Sequence, residues 1–248
     1  MTRATPAHRR GGFTLVELLF TMAIGSIILF VAASLLSRAG QSYDHGAGSV
    51  AAEREARAIL HQMGSDLAKA EWHKDTRFKN EGSGWKQADL GFLALQPDDA
   101  QTDQKRCADL CAVHYYMKDI EVAGVTVRAL MRGFRESGEV FPALKTGSPE
   151  SLFTPENTDE PVAFGVLSFE AQPLQRSASG QWEDWNGDKT KGPGAVRVRL
   201  VVTRRELLGK LTTTAEWNNS PLRGNPEQAL NNPNLETYEA IQRYGNDA

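Results

Sequence analysis

The chain has 248 residues, of which 40% are hydrophobic, and its formal net charge is −3. This length suits a membrane anchor plus one domain of ordinary size. Beyond Leu36 no second apolar run of membrane length occurs, so a single-pass protein is predicted. The acidic balance argues against general affinity for nucleic acid, because binding to phosphate groups needs a surplus of Lys and Arg.

A long apolar segment begins a few residues after a short basic stretch. Arg9 and Arg10 precede it, and the residues from Leu18 to Leu36 carry no charged side chain, a length that suits one helical crossing of a bilayer. The basic flank is typical of the cytoplasmic side of a membrane. Glu17 lies inside the apolar segment, where a carboxylate costs about 2–3 kcal/mol or more unless a cation neutralises it. It is therefore a candidate functional residue.

Three interpretations of this N-terminus compete. A secretory signal peptide would need a small-residue cleavage site after the apolar segment, and no clean site follows here. An ordinary uncleaved anchor leaves Gly12 and Glu17 unexplained. The third interpretation accounts for both, because the sequence GFTLVE at residues 12–17 resembles the signature of type IV prepilins.

The resemblance to prepilins implies a processing site and an assembly residue. A prepilin peptidase would cut between Gly12 and Phe13, and the new N-terminus at Phe13 would be N-methylated. Glu17 would then pair with the N-terminal amine of a neighbouring subunit and set the register of a filament. The expected partners are the peptidase, other pilin or pseudopilin subunits and the bacterial inner membrane, with the C-terminal domain in the periplasm.

The helix is expected to continue beyond the membrane and to pack on a sheet. From residue 50 onwards apolar side chains recur at helical spacing, namely Ala52, Ala56, Ile59, Leu60, Met63, Leu67 and Ala70. An amphipathic half-helix of this kind lies against a sheet in the pilin layout. The predicted fold class is therefore α+β and pilin-like, with a long N-terminal helix, half of it transmembrane, packed on an antiparallel sheet.

The remainder of the chain is predicted to be rich in strands. Candidate strands lie at residues 90–96, 112–118, 125–132, 163–171, 195–203 and 211–217, and residues 133–161 are expected to be irregular. A short helix is expected at residues 235–244. The predicted organisation is a leader peptide (1–12), a transmembrane and assembly helix (13–37), a periplasmic half of that helix (38–72), a globular domain (73–217) and a loop-rich tail (218–248).

Four further segments resemble the J-type minor pseudopilin of type II secretion. These are ILHQMGSDLAKA, GVLSFEAQPL, GQWEDW and GPGAVRVRLVV, in that order along the chain. The resemblance implies a structural subunit that helps to initiate or cap a periplasmic pseudopilus. Minor pilins of type IV pilus systems share similar features, so a role in adhesion, motility or DNA uptake is the alternative.

Two groups of side chains are candidate chemical sites. Cys107 and Cys111 either form a local disulfide, which an oxidising periplasm permits, or remain two buried thiols. Asp184, Asn186 and Asp188 resemble the start of a calcium loop, but the glycine and the final glutamate of such a loop are missing, and a solvated turn is the alternative. No other metal site is predicted.

No enzyme motif is present, so no catalytic residue and no cofactor are predicted. Trp182 and Trp185 are expected to pack at a turn, and a surface facing a partner is the alternative. A membrane-tethered periplasmic enzyme is the competing class of function. It would require polar side chains that converge in a pocket.

Overall fold

The computed structural model describes residues 14–82, 85–96, 101–102, 105–106, 109–203, 211–219 and 235–245. The chain divides into two compact units, Met1–Ala47 and Gly48–Ala248. Helix α1 extends from Leu15 to Ala68 and so contributes residues to both units.

In the first unit, α1 is long and apolar enough to cross a membrane from Leu15 to Gly40. Its large apolar side chains are exposed. Thr21, Ser26 and Ser34 each donate a hydroxyl hydrogen bond to the carbonyl oxygen three residues earlier, at 2.8–2.9 Å. These hydroxyl groups are therefore satisfied within the helix and need no water, as a lipid environment requires.

In the second unit, α1 presents a stripe of small and aliphatic side chains to the domain core. Ala52, Ala56, Ile59, Met63 and Leu67 are all buried there. They lie at the helical spacing that the sequence indicated, so the predicted amphipathic half of the helix is confirmed. Because alanine occupies two of these positions, the helix backbone can approach the sheet closely.

The strands of the second unit follow α1 in a nearly unbroken series. They are β1 (Ala70–Glu71), β2 (Arg77–Glu81), β3 (Gln87–Gln96), β4 (Gln101–Thr102), β5 (Lys105–Arg106), β6 (Asp109–Val122), β7 (Val125–Arg135), β8 (Glu160–Phe164), β9 (Val166–Arg176), β10 (Trp182–Asp184), β11 (Ala195–Thr203) and β12 (Leu235–Arg243). Between them lie helix α2 (Ser137–Thr146), a 3₁₀ helix (Pro149–Phe153) and helix α3 (Thr214–Asn219).

One large sheet runs through the domain in the order β12-β11-β9-β3-β6-β7-β8, with β1 and β2 paired to β3 and β10 paired to β9. Neighbouring strands are antiparallel except at β3 and β9, which meet in parallel at Gln87 and Phe169. The predicted α+β class is confirmed, and the sheet is mixed through this one parallel contact.

Both faces of the sheet are covered. Alternate residues of the central strands, such as Phe92, Phe169 and Val198, pack with the buried stripe of α1 in the main core. The opposite face carries smaller clusters. One is formed by α2 and the 3₁₀ helix over β3 and β6, and it comprises Leu93, Ala112, Val140, Leu152 and Phe153. The sheet is therefore the middle layer of three.

Several predicted elements are wrong in detail. The stretch 133–161 is not irregular, because it contains the end of β7, α2 and the 3₁₀ helix that cover the second face. The predicted strand at 163–171 is interrupted at Gly165, whose φ of 71° lies in the left-handed region that glycine adopts readily.

The C-terminal predictions also need correction. Residues 211–217 were expected to form a strand, but α3 begins at Thr214. The predicted short helix at 235–244 is instead strand β12, which pairs along its whole length with β11. The free edge of β11 supplies the hydrogen-bonding partners for this strand, so tertiary pairing overrides the local preference of the segment.

A buried carboxylate joins α1 to the sheet. Asp66, only 2% exposed, accepts a hydrogen bond of 2.7 Å from the Tyr115 hydroxyl on β6 and one of 2.8 Å from Arg132 Nε on β7. Burial and the adjacent carboxylate both raise the pKa of Tyr115, so the phenol stays protonated and donates. The carboxylate thus holds one helix residue against two neighbouring strands.

We predict that Asp66→Asn will lower the free energy of unfolding by about 3–5 kcal/mol, since it leaves the Arg132 guanidinium without its countercharge in a buried setting. The matched control on the same helix is Glu53→Gln, which breaks an exposed ion pair with Arg57 and should cost about 0.5 kcal/mol or less. Denaturant titration of the full-length protein in detergent, followed by tryptophan fluorescence, measures both. Equal losses would show that Asp66 is not an anchor.

Candidate functional site

The candidate assembly residue lies in the first turn of α1. Glu17 is exposed, and its backbone N–H donates a hydrogen bond of 3.2 Å to Thr14 Oγ1. The backbone N–H of Leu18 donates to the carbonyl oxygen of Thr14, also at 3.2 Å. Thr14 is therefore the N-cap of the helix, and Glu17 occupies the third helical position.

This arrangement carries a signal that the sequence analysis missed. The order Thr-x-x-Glu is the pattern of a capping box, in which the threonine hydroxyl satisfies an N–H of the first turn and a glutamate lies at the third position. A negative charge there also interacts favourably with the positive end of the helix dipole. Glu17 therefore has a local role in starting the helix, besides any role between subunits.

The Glu17 carboxylate has no cationic side chain in ion-pair contact within the described part of the chain. It is placed where an amine from another molecule can reach it. Gly12 and Phe13, the residues of the predicted cleavage site, lie outside the described residues. The predicted processing and methylation positions therefore stay predictions.

The comparison with protein families decides what this N-terminus is. A family model described as the prokaryotic N-terminal methylation motif matches residues 7–33. The chain carries a prepilin N-terminal motif. This match confirms the resemblance to prepilins, and the motif implies processing by a peptidase and assembly with pilin subunits.

Over the whole chain, the similarity to solved structures is low. Among solved structures, a type IV-like pilin from Thermus thermophilus aligns with a TM-score of 0.39 and 12% sequence identity, and the alignment covers 77% of this chain and 94% of that one. No curated protein sequence matches the chain.

The structure describes one of the two cysteines. Cys111 is fully buried on β6, and Cys107 lies outside the described residues. The disulfide therefore stays a prediction.

The segment that resembles the start of a calcium loop has the local hydrogen bonds of a turn. The Asp188 carboxylate accepts hydrogen bonds from the backbone N–H and the hydroxyl of Thr190, at 2.9 and 2.6 Å, and Asn186 Oδ1 accepts from the backbone N–H of Asp188 at 3.0 Å. These hydrogen bonds hold the pKa of Asp188 below its usual range. Asp184 lies on β10. Across the described ranges no three His, Cys, Asp or Glu side chains are grouped to hold a metal ion.

The two tryptophans of the same hairpin differ in their contacts. Trp185 packs edge-on against Trp72, with ring centroids 5.3 Å apart, and also contacts Phe78, so its predicted packing role is confirmed. Trp182 instead carries the Arg176 guanidinium over its ring at 4.8 Å.

Two charge networks lie on the sheet face opposite α1, and no sequence pattern predicts them. Asp159 accepts hydrogen bonds from Arg135 Nη1 at 2.6 Å, Tyr116 Oη at 2.9 Å and the backbone N–H of Glu156 at 2.8 Å. Burial alone would raise the pKa of Asp159, but these hydrogen bonds outweigh it and hold the pKa below its usual range. The network fastens the segment before β8 to β6 and β7.

The second network links β2, β3 and β6. Asp89 Oδ1 lies 2.6 Å from His114 Nε2, and its other oxygen accepts a hydrogen bond of 3.0 Å from Arg77 Nη1. The His114 ring stacks on Tyr116, with centroids 4.6 Å apart. His114 is 1% exposed, so its imidazole is enclosed by packing, while the Asp89 side chain is 29% exposed.

We predict that Cys107 and Cys111 are joined in protein from the periplasm. Thiol labelling under denaturing conditions, read by mass spectrometry, should modify both residues only after reduction. Cys111→Ser should leave Cys107 labelled without reductant, which provides the control for accessibility of the reagent. Full labelling of the wild type without reductant would rule out the bridge.

Proposed function

We propose that this protein is a minor pseudopilin, a structural subunit that helps to initiate or cap a periplasmic pseudopilus for type II secretion. The observation that carries the proposal is the match of residues 7–33 to the N-terminal methylation motif. The assignment to secretion is supported by the resemblance of segments in α1, β9, β10 and β11 to J-type pseudopilins. The proposed role is structural and involves no catalysis.

Processing is the first step in the proposed maturation and assembly of the protein. The basic residues Arg3, Arg9 and Arg10 would hold the leader on the cytoplasmic side, and the peptidase would remove residues 1–12. The protein would remain in the bacterial inner membrane through the apolar part of α1, with the second unit in the periplasm. Methylation of Phe13 would then complete the mature N-terminus.

Assembly is the second step, and Glu17 is the proposed contact. A carboxylate at membrane depth costs about 2.5–3.5 kcal/mol on insertion scales. The N-terminal amine of a neighbouring subunit would recover part of this cost through an ion pair, whose strength grows as the surroundings exclude water. An unpaired charge would be disfavoured, so the pair would select one axial register.

A minor pilin of a type IV pilus is the second candidate. The same N-terminal motif serves that function equally well, because subunits of both systems would share processing and assembly. Deletion of the gene, followed by measurement of both protein secretion and surface pili, separates the two. Loss of secretion with normal pili supports the pseudopilin, and the reverse supports the pilin.

We predict that Gly12→Val will block maturation, because a branched side chain does not fit a peptidase site shaped for glycine. The matched control is Gly11→Val, one residue upstream, which should be cleaved normally. N-terminal sequencing of the membrane-extracted wild type should begin at Phe13 with Phe-Thr-Leu-Val-Glu. A start at Met1, or a cut beyond Leu36, would contradict the proposal.

We predict that Glu17→Val and Glu17→Gln will both insert and be cleaved but will fail to crosslink to sibling subunits. Glutamine can replace glutamate in a capping box but carries no charge, so it separates the start of the helix from the ion pair. Glu17→Asp should be partly defective, because its carboxylate is one methylene shorter.

The same variants distinguish the competing roles of Glu17. If the residue serves only to cap the helix, Glu17→Gln will crosslink like the wild type while Glu17→Val is defective. Wild-type crosslinking and secretion by both variants would remove the filament mechanism altogether. The crosslinking result is decisive. A subunit at the tip would need its carboxylate only to contact the subunit below it, and crosslinking measures that contact directly.

A further inference from the structure

A cavity of about 460 Å³ lies at the end of the sheet where β9, β10, β11 and β12 come together. Val196 and Val198 of β11 face the core with α1, so the alternate residue Ala195, which lines the cavity, faces the other side. Arg243 is paired with Ala195 in register and therefore shares that face. The cavity opens on the side of the sheet away from α1.

The cations that line this cavity are two arginines. Arg176 and Arg243 are both exposed, and the lining contains no carboxylate. Among the described residues, the Arg176 guanidinium lies over the Trp182 ring, and no carboxylate there forms an ion pair with it. Stacking on the ring holds the guanidinium in place while its N–H groups remain able to donate.

The neighbouring positions on the same face are neutralised. Arg199 contacts Glu170 at 3.1 Å and Glu239 at 2.8 Å, and Arg197 lies 3.6 Å from Glu239. Glu170 and Glu239 are thus engaged by these two arginines, and Glu183 on β10 accepts a hydrogen bond of 2.9 Å from Gln175. Positive charge without a described carboxylate partner therefore remains at Arg176, in a protein whose formal net charge is −3.

Apart from Gln175, the remaining walls of the cavity are apolar or lack side chains. Trp182 forms one side, and Ile241, which is 45% exposed, forms part of the other. The floor between them includes Gly194 and Ala195. A Cβ atom at Gly194 would lie 3.4 Å from the Trp182 ring, so an alanine fits there and a larger side chain would fill the cavity. Its volume lies within the usual range for ligand sites, about 300–1,000 Å³.

We propose that this cavity binds an acidic segment of a partner polypeptide, with a carboxylate on the Arg176 guanidinium and an adjacent apolar side chain between Trp182 and Ile241. The planar guanidinium matches a carboxylate in a bidentate geometry. The two apolar walls require an apolar group beside the charge. The choice of a polypeptide as the source of the carboxylate rests on the proposed function, in which the protein assembles with other subunits.

Binding of a synthetic peptide to the full-length protein in uncharged detergent tests this proposal. The probe is acetyl-Gly-Asp-Leu-Glu-Gly-amide with a fluorescent label, and its uncharged control replaces Asp by Asn and Glu by Gln. Fluorescence anisotropy at about 0.1 M salt should show the acidic peptide binding at least about tenfold more tightly, since hydrogen bonds between charged groups are the stronger ones. Equal affinity for the two peptides would overturn the proposal.

Arginine variants locate the binding. Arg176→Gln should weaken binding of the acidic peptide about tenfold. The matched control is Arg57→Gln, which removes an exposed arginine already paired with Glu53 and should leave the affinity unchanged. If Arg176→Gln and Arg57→Gln behave alike, the cavity is not the binding site.

A steric variant and a competitor complete the test. Gly194→Leu keeps both arginines but fills the cavity, so it should abolish binding while circular dichroism shows an unchanged folded domain. Inorganic phosphate that competes as well as the acidic peptide would show a site for small anions and overturn the polypeptide occupant. These outcomes do not depend on cleavage at Gly12 or on crosslinking through Glu17, so failure here leaves the proposed function standing.

Discussion

The buried Asp66 carboxylate constrains how the second unit is built. Most other contacts of α1 with the sheet, such as those of Ala52 and Ala56, are apolar and without direction, and alone they would tolerate a helix displaced along its axis. Asp66 opposes such a displacement, because Tyr115 on β6 and Arg132 on β7 both donate to it. Towards the two edges of the sheet, the backbone N–H of Phe164 donates to the Glu55 carboxylate and Gln242 donates to the Leu60 carbonyl oxygen. With the helix fixed over these two strands, the rest of the sheet is covered in a defined way, and the second face is left to α2, the 3₁₀ helix and α3.

Sequence patterns predict those elements whose signal is local. Alternation of apolar and polar residues predicts β11 at its observed bounds. The threonines of residues 211–217 favour a strand by propensity, yet Thr213 Oγ1 accepts from the backbone N–H of Glu216, and the Glu216 carboxylate accepts from the backbone N–H of Thr213. This reciprocal capping box starts α3, and its Thr-x-x-Glu pattern was visible in the sequence. No such local sequence pattern predicts the pairing of β12 with β11.

The candidate sites likewise differ in whether a local sequence pattern predicts them. The methylation motif is a contiguous pattern, so sequence alone predicts Gly12, Phe13 and Glu17 as its site residues. The cavity could not be predicted, since it depends on β11 lying between β9 and β12, which brings Arg176 and Arg243 to one end of the sheet. Buried charge networks cannot be predicted from the sequence either, because nothing in a single sequence distinguishes a buried carboxylate from a solvated one.

The position of Thr14 has a consequence for the energetics of maturation. The residue that caps α1 lies on the mature side of the proposed cut between Gly12 and Phe13, so the hydrogen bonds that start the helix come from the chain that remains. Removal of the leader therefore breaks no described hydrogen bond of the helix. The new positive charge on the α-amine would, however, oppose the positive end of the helix dipole. A carboxylate supplied by another subunit would relieve that repulsion. Cleavage itself would therefore favour contact with a neighbouring subunit.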